Sequence, residues 1–347
     1  MTGTNDKATA GRKRINLALQ GGGSHGAYTW GALETLLECE DLDIVGVSGA
    51  SAGAMNAVVL AAGLQEGGRE GARRKLQDFW LSISAEGSLP IAERSLVDAW
   101  LGAWTSMLSP QNWFDAMSRL TTPYAFNPLG INPLRDHLVK AVDFGKLRKA
   151  VSPKLFIAAT NVQTGKGEVF RGENLTADHV MASACLPQLF QAVEIAGVPY
   201  WDGGFSGNPP LWPLFYETDC RDTLIVEINP IERQETPRTA VEIADRINEI
   251  TYNSGLLAEL RAADFVARLI DNGALSGPNY RRELLHRMGG SGKLVSFSAA
   301  SKLDVSWTLL TTLRDLGRAA AKTWLDQNFE AIGVRSTLDV DQVLGRE

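Results

Sequence analysis

Cysteine is scarce in this sequence: the chain of 347 residues contains only Cys39, Cys185 and Cys220, and no C-x-x-C pair. This excludes a disulfide framework and a zinc-ribbon type of site, and it is typical of a reducing compartment. No apolar run is long enough to span a membrane. A basic excess is also missing, because the formal net charge is -6. We therefore expect no nucleic-acid partner, since such proteins neutralise phosphates with Lys and Arg.

The order of apolar segments predicts an α/β protein with a mostly parallel sheet. Residues 1–13 are polar, lack the apolar stretch of a secretory signal, and are interpreted as a disordered tail. A strand from Arg14 to Leu19 ends in three glycines and precedes a helix from Ala27 to Leu37. A second strand, Ile44 to Val47, precedes a helix from about Ala52 to Leu64. Strand, turn, helix, repeated in this way, is the pattern of α/β construction.

Further strands and helices are expected later in the chain. Short apolar runs predict three more strands, at Leu155 to Ala159, Leu224 to Ile228 and Leu294 to Phe297. Long helices are expected from about Ala240 to Ile270 and from about Trp307 to Phe329. We expect residues 14–215 to form a core and residues 216–347 to pack on the same domain.

Residues 86–149 interrupt this pattern and are interpreted as a Trp-rich helical insertion. Apolar side chains recur there at helical spacing, at Leu96, Trp100, Trp104 and Leu108, with Trp113 and Phe114 just beyond Pro110. Such a face either packs into the core or acts as a lid at a membrane interface, where Trp is favoured. The sequence leaves both interpretations open.

A glycine-rich loop follows the first strand, with Gly21, Gly22, Gly23 and Gly26 around Ser24 and His25. The spacing matches a dinucleotide fingerprint, but that function needs an acidic residue at the end of the second strand, which here reads Val47-Ser48-Gly49. An oxyanion hole uses the same loop without a cofactor, because glycines let successive N–H groups face one point at a helix N-terminus. We therefore favour the oxyanion hole.

The second strand ends in Gly49-Ala50-Ser51-Ala52-Gly53, a G-x-S-x-G sequence between an apolar strand and an apolar helix. This is the context of a nucleophile elbow, in which the serine occupies a sharp turn and its close neighbours must be small. Ser51 is therefore the candidate nucleophile.

A serine hydroxyl needs a base. Among the four histidines, His137 and His179 fall in predicted helices, and only His286 follows the Ser, Asp, His order of α/β-hydrolases. No neighbouring residues distinguish His286 from a structural histidine. The alternative base is Asp202, which precedes Gly203 and Gly204. Desolvation beside Trp201 would raise the pKa of this carboxylate. The same residues also fit a structural interpretation, in which Asp202 only accepts a hydrogen bond from the backbone of its own turn.

These motifs, in this order, resemble those of the patatin-like phospholipase family. The resemblance covers residues 14–215 and includes Ser183-Ala-Cys-Leu-Pro-Gln-Leu-Phe190 and Asn208-Pro209. It implies a three-layer α/β/α fold and a Ser51–Asp202 dyad without histidine, with an oxyanion hole at Gly21, Gly22 and Gly23. The family commonly has Arg or Lys where His25 stands, so a charge at this position would depend on pH here.

The function expected from these residues is lipid acyl hydrolysis of the phospholipase A type, without metal or cofactor. A soluble carboxylesterase, a thioesterase or an intracellular polyester depolymerase would use the same dyad. A lipid-binding regulatory protein without turnover is the alternative from another class. We expect a cytoplasmic protein that meets its lipid or acyl-ester substrate at the membrane periphery, and the sequence does not define its oligomeric state.

Overall fold

The computed structural model describes residues 11–84, 122–277, 280–289 and 299–346, together with Leu294 and Phe297. The predicted aromatic face of residues 96–114 lies outside these residues. The described strands are β1 (Lys13–Leu19), β2 (Leu42–Gly49), β3 (Lys154–Asn161), β4 (Gly167–Arg171), β5 (Val193–Ile195), β6 (Val198–Asp202), β7 (Asp222–Glu227) and β8 (Leu284–Gly289).

The described helices alternate with these strands. They are α1 (Gly26–Glu38), α2 (Ala52–Ile83), α3 (Pro123–Phe126), α4 (Pro133–Ala141), α5 (Phe144–Leu147), α6 (Ala177–Ser183), α7 (Trp212–Glu217), α8 (Ala240–Asp271), α9 (Trp307–Asn328) and α10 (Val340–Val343). Helix α2 continues well beyond the predicted end at Leu64, with non-helical backbone at Gly67 and Gly68 that kinks it. None of the described helices has both the length and the apolar composition needed to cross a membrane.

The sheet has the order β5-β6-β3-β2-β1-β7-β8, with β4 also paired to β3. The pairs β3–β2, β2–β1, β1–β7 and β7–β8 are parallel, and the pairs that involve β4, β5 and β6 are antiparallel. The mostly parallel α/β sheet expected from the sequence is confirmed.

Helices cover both faces of the sheet, because successive residues of a strand point to opposite sides. Leu17 and Leu19 of β1 belong to a buried cluster with α1, α2 and α9, whereas Ala18 belongs to a second cluster with α7 and α8. Both faces of the central strands are therefore apolar. The result is three layers with a core on either side of the sheet.

Helices α1 and α9 pack with their backbones in close contact. A side chain at Gly31 would collide with the carbonyl of Arg314, and one at Gly317 would collide with the carbonyl of Tyr28. The two glycines thus let α9 lie directly against α1, the helix that follows the glycine-rich loop.

The eighth strand corrects one expectation. The predicted strand at Leu294 to Phe297 is wrong at the two residues described there, because Leu294 is helical and Phe297 lies in a bend. The strand instead forms at Leu284–Gly289, which pairs in parallel with β7. The segment was missed because His286 and Arg287 interrupt its apolar pattern.

Candidate active site

Ser51 occupies a sharp turn between the end of β2 and the start of α2. Its backbone has φ 54° and ψ -124°, a region that residues with a side chain rarely adopt. The turn requires small neighbours: a side chain at Gly53 would collide with the Leu19 carbonyl, and one at Gly49 would lie 2.6 Å from the carbonyl carbon of Gly53. Ser51 is partly exposed and stands at the positive end of the α2 dipole.

The register of β3 brings Asp202 to the same place. Residues 156 and 157 of β3 pair with both β2 and β4, and residues 159 and 160 pair with both β4 and β6. Strands β2 and β6 must therefore lie on the same side of β3, one after the other. Gly49 is opposite Ile157 and Asp202 is opposite Ala159. The end of β6, at Asp202, therefore lies next to the end of β2 and beside Ser51.

The end of α6 and the residues just after it fix the positions of Ser51 and Asp202. The Ser51 N–H donates to the carbonyl oxygen of Ser183 at 3.1 Å and to its Oγ at 3.0 Å. The Asp202 N–H donates to the Cys185 carbonyl at 2.8 Å. The Ser183–Phe190 sequence that resembles the family thus fixes Ser51 relative to Asp202.

Burial dominates the electrostatics of Asp202. The side chain is 1% exposed, and burial raises its pKa to about 7, opposed by hydrogen bonds from the Gly204 N–H and the Ser51 hydroxyl. Gly204 donates to Oδ1 at 2.7 Å, whereas Oδ2 has no regular hydrogen bond among the described residues. The contact with Ser51 is thus loose, as catalytic hydrogen bonds often are without substrate.

The two glycines after Asp202 allow this close packing. A side chain at Gly203 would collide with the Ala158 carbonyl, and one at Gly204 would lie 2.7 Å from the ring of Tyr252 on α8. Tyr252 itself has a raised pKa, mainly through burial and secondarily through Asp202. This ring was not foreseen, because α8 begins far beyond the motifs.

The glycine-rich loop passes directly over Ser51. A side chain at Gly21 would lie 2.5 Å from Ser51 Cβ, and one at Gly26 would lie 2.6 Å from Ala52 Cβ. Gly23 has φ 58° and is pressed against the backbone of Lys302. The N–H groups of Gly22 and Gly23 have no hydrogen-bond acceptor among the described residues. The Gly21 N–H, in contrast, donates to Asn208 Oδ1 at 2.6 Å.

Four buried carboxamides hold this loop, and the sequence analysis singled out only one of them, Asn208 of the Asn208-Pro209 pair. They come from Gln20, Asn208, Asn229 and Asn253, and each side chain is at most 2% exposed. Gln20 Oε1 accepts the N–H groups of Ile228 and Asn229, both at 2.8 Å. Polar residues scattered over more than 230 positions carry no sequence pattern, although Gln20 directly before three glycines is a local signal.

His25 is neutral over the physiological pH range. Burial, with a smaller contribution from the nearby Lys302, lowers its pKa to about 4. Its Nε2 lies 2.7 Å from Ser301 Oγ, and its ring packs edge-on against Phe297. The charge expected to depend on pH at this position is therefore absent near neutral pH.

His286 lies away from Ser51. His286 pairs with Leu224, Leu224 with Leu17, and Leu17 with Val47, which is on the same strand as the turn that carries Ser51. Three strand spacings, roughly 14 Å, therefore separate His286 from β2. Its Nε2 lies 3.0 Å from Asp222 Oδ1 and its Nδ1 2.9 Å from Thr337 Oγ1, so it is a buried structural residue of β8. His137 and His179 lie on α4 and α6 as expected.

The described residues contain no group of three or more His, Cys, Asp or Glu side chains that could hold a metal ion. Two cavities in these residues lie elsewhere. One of about 470 Å³ runs along α2 and α4, and one of about 260 Å³ lies beside β3 and β4. Neither is lined by a residue of the predicted site.

The family model for patatin-like phospholipases matches residues 17–215, more than half of the chain, and the chain therefore belongs to this family. This confirms the resemblance and the fold class expected from the motifs, and the membership supports lipid hydrolase activity. The search of curated proteins gave no match.

Two solved structures resemble the chain at low identity. VipD from Legionella pneumophila is 17% identical, with a TM-score of 0.35 over 88% of this chain and 67% of that one. Full-length ExoU, in complex with SpcU from the type III secretion system of Pseudomonas aeruginosa, is 16% identical, with a TM-score of 0.28 over 96% of this chain and 76% of that one. Superposition at this level carries no inference about activity.

Proposed function

We propose that the protein is a lipid acyl hydrolase of the phospholipase A type, in which Ser51 is the nucleophile and Asp202 its base. The observation that carries the proposal is the juxtaposition at the end of β2. A partly exposed serine in a strained turn adjoins a buried carboxylate whose pKa is raised to about 7. Such a carboxylate is basic enough to accept a proton at neutral pH.

In the proposed reaction, Ser51 Oγ attacks the acyl carbonyl carbon while its proton passes to Asp202 Oδ2. The carbonyl oxygen becomes an oxyanion, which accepts hydrogen bonds from the N–H groups of Gly22 and Gly23. When the tetrahedral intermediate collapses, the bond to the leaving alcohol breaks and the alkoxide takes the proton from Asp202. Water then attacks the acyl-enzyme and gives a proton to Asp202. The bond between the acyl carbon and Ser51 Oγ breaks, Oγ takes the proton from Asp202, and the fatty acid leaves.

The availability of Oδ2 supports this assignment. Oδ1 is committed to the Gly204 N–H, whereas Oδ2 is buried and lacks a regular hydrogen bond among the residues described. The Gly21 N–H is likewise committed, to Asn208. Of the three glycines expected at the oxyanion hole, we therefore assign donation to Gly22 and Gly23.

The test is fatty-acid release from phosphatidylcholine vesicles, measured beside hydrolysis of soluble short-chain and long-chain p-nitrophenyl esters. Ser51→Ala should abolish all three activities without changing the thermal unfolding midpoint. Ser82→Ala is the matched control, because it removes a hydroxyl near the far end of the same helix, where Ser82 Oγ bonds the Phe79 carbonyl and no other group of the described residues.

The possible outcomes distinguish the candidate functions from one another. Loss of vesicle hydrolysis in Ser51→Ala alone supports the phospholipase. Turnover of soluble esters without vesicle lipid would keep the dyad and indicate a carboxylesterase, a thioesterase or a polyester depolymerase. Vesicle binding without turnover of any ester would indicate the regulatory protein and contradict the proposal.

The location and the domain plan belong to the same proposal. We propose a cytoplasmic protein that contacts the lipid surface peripherally, and a single catalytic unit to which residues 216–347 contribute. Strands β7 and β8 support this plan, because they continue the sheet that begins with β1 and β2.

A further inference from the structure

Lys302 is a charged residue beside the glycine-rich loop that the proposed reaction does not use. It lies in a short 3-10 helix, Ala299–Leu303, and its backbone carbonyl contacts Gly23 so closely that a side chain there would collide with it. Its Nζ donates to Asn229 Oδ1 at 2.8 Å. Lys302 thus contacts the loop directly through its backbone, and its ammonium group binds Asn229.

The ammonium group fixes which way Asn229 faces. Because an ammonium has only donors, Asn229 must turn its oxygen toward Lys302, which leaves Nδ2 as the donor on the other side. This Nδ2 donates to the Gly21 carbonyl at 2.7 Å. The neighbouring Gly21 N–H is held by Asn208, so the Gly21 residue is fixed at both its polar atoms.

The carbonyl of Gly21 and the N–H of Gly22 belong to one peptide unit. The cis bonds of the described residues precede Pro153 and Pro209, so this peptide is trans, and its C=O and N–H point in opposite directions. Fixing the Gly21 carbonyl therefore aims the Gly22 N–H the other way. A hydrogen bond that starts from a cation also polarises the groups along it, which strengthens the final N–H as a donor.

We infer that Lys302, acting through Asn229, is a positioning residue that aims and polarises the Gly21–Gly22 peptide so that the Gly22 N–H stabilises the oxyanion. The inference rests on the proposed function, because an oxyanion forms only if Ser51 attacks an acyl carbonyl. It gives the chain a cation beside the oxyanion loop, where the adjacent His25 is neutral near pH 7.

The charges around Lys302 come from three other segments. Burial is the main cause that lowers the pKa of Lys302 from 10.5; Glu249 and Asp245 on α8 oppose it by favouring the charged form, and Arg233 adds to the lowering. Glu249 is itself paired with Arg233 at 2.5 Å and with Arg246 at 3.2 Å. His25 is the fourth titratable neighbour. Activity should accordingly fall at alkaline pH as the ammonium group loses its proton.

The experiment compares Lys302→Met, Lys302→Arg and Asn229→Asp with wild type on a soluble ester. We expect Lys302→Met to lower kcat about 10- to 100-fold with little change in KM, because the interaction acts in the transition state. Lys302→Arg should restore most of kcat and extend activity to higher pH. Asn229→Asp should behave like Lys302→Met, since a carboxylate cannot donate to the Gly21 carbonyl.

The control is Lys322→Met, which removes an exposed lysine from α9 and should leave kcat unchanged. A Lys302→Met enzyme with wild-type kcat, or one whose kcat falls only in proportion to lost folded protein in thermal unfolding, would overturn the inference. Full activity of Ser51→Ala would overturn the proposed function instead, so the two failures are distinguishable.

Discussion

At the scale of single residues, the proposed chemistry depends on a carboxylate that is costly to ionise. Asp202 is buried by strands β3 and β6 and by Tyr252, and among the described residues its carboxylate accepts one regular hydrogen bond, from the Gly204 N–H. A carboxylate in such a place holds its proton more tightly than in water. The same burial therefore makes Asp202 a better base and a less stable anion.

The pH dependence of the reaction follows from this burial. In the proposed reaction Asp202 must be ionised to act, and its pKa is about 7, so kcat/KM should rise about tenfold per pH unit below 7 and level off above it, before the alkaline fall expected from Lys302. The measurement is kcat/KM on a soluble ester from pH 5 to 9.

Glu283 provides the matched control for this profile. Burial raises its pKa to about 7 as well, but its carboxylate is paired with Arg281 just before β8. Glu283→Gln should keep the inflection, whereas Asp202→Asn should lose several orders of magnitude in rate. A profile that stays flat down to pH 5 would contradict Asp202 as the base.

Asp202 should also reduce stability at high pH. The folded-state pKa of about 7 exceeds the ordinary 3.8, so the stability present below pH 3.8 is lost progressively as pH rises to 7. That difference corresponds to roughly 4 kcal/mol. Asp202→Asn should therefore raise the free energy of unfolding in urea, and by more at pH 8 than at pH 5. An equal gain at both would contradict a buried charge.

At the scale of elements, the turn after β2 is fixed by contacts between backbones. Gly53→Ala should force α2 away from the Leu19 carbonyl, costing about 1–3 kcal/mol in urea unfolding and displacing Ser51. Gly289→Ala at the end of β8 is the control, because no atom of the described residues lies within 4 Å of the added methyl group. It should be neutral or slightly stabilising. An equal loss in the free energy of unfolding for the two variants would contradict this account of the turn.

Helix α8 offers a second test. Ile243, Ile247 and Ile250 fall at i, i+4 and i+7 and are 44%, 57% and 55% exposed, so one face of the helix is apolar and uncovered by the described residues. Ile247→Glu combined with Ile250→Glu should weaken sedimentation with vesicles and spare hydrolysis of soluble esters.

Val151→Glu is the control for this pair. Val151 is 89% exposed but precedes β3 at the amino edge of the sheet, opposite the edge where Ser51 lies. It should leave vesicle binding unchanged. If both substitutions weaken binding alike, the effect is general charge repulsion rather than a specific contact.

How far the sequence predicted these elements depends on the range of the contacts involved. Strand β1 and the G-x-S-x-G turn follow from local pattern and steric need, so they were predicted nearly to the residue. Strand β2 was predicted only at its centre, Ile44 to Val47, and extends two residues further at each end. Strand β8 was not predicted, because the polar atoms of His286 bond Asp222 and Thr337, which are more than 50 positions away in the sequence. Lys302 and Asn229 were missed for the same reason: each is an ordinary polar residue until the fold brings it to Gly21.

At the scale of the whole molecule, the C-terminal third is tied to the central sheet by polar contacts. His286 on β8 joins Asp222 on β7 to Thr337, and Asp222 also accepts the N–H of Gly333 at 2.8 Å. His286→Leu removes the hydrogen-bond partner that Asp222 and Thr337 share, although Asp222 keeps the Gly333 N–H, and this loss should cost roughly 1–3 kcal/mol. The catalytic rate per folded molecule should stay unchanged.

The readouts are urea unfolding and kcat normalised to folded protein. Met288→Leu serves as the control, because it keeps a buried apolar side chain on the same strand and breaks no polar contact. A loss of several orders in kcat with the fold intact would restore His286 as a candidate base.

The place of β7 in the sheet has a consequence for protein synthesis. β7 lies between β1 and β8, although more than 200 residues separate it from β1 in the chain. A ribosome therefore translates Ser51 long before β7, and Lys302 later still. A chain translated only as far as β6 carries the nucleophile without its finished sheet, so lipid hydrolysis should begin only after β7 and Lys302 have been translated.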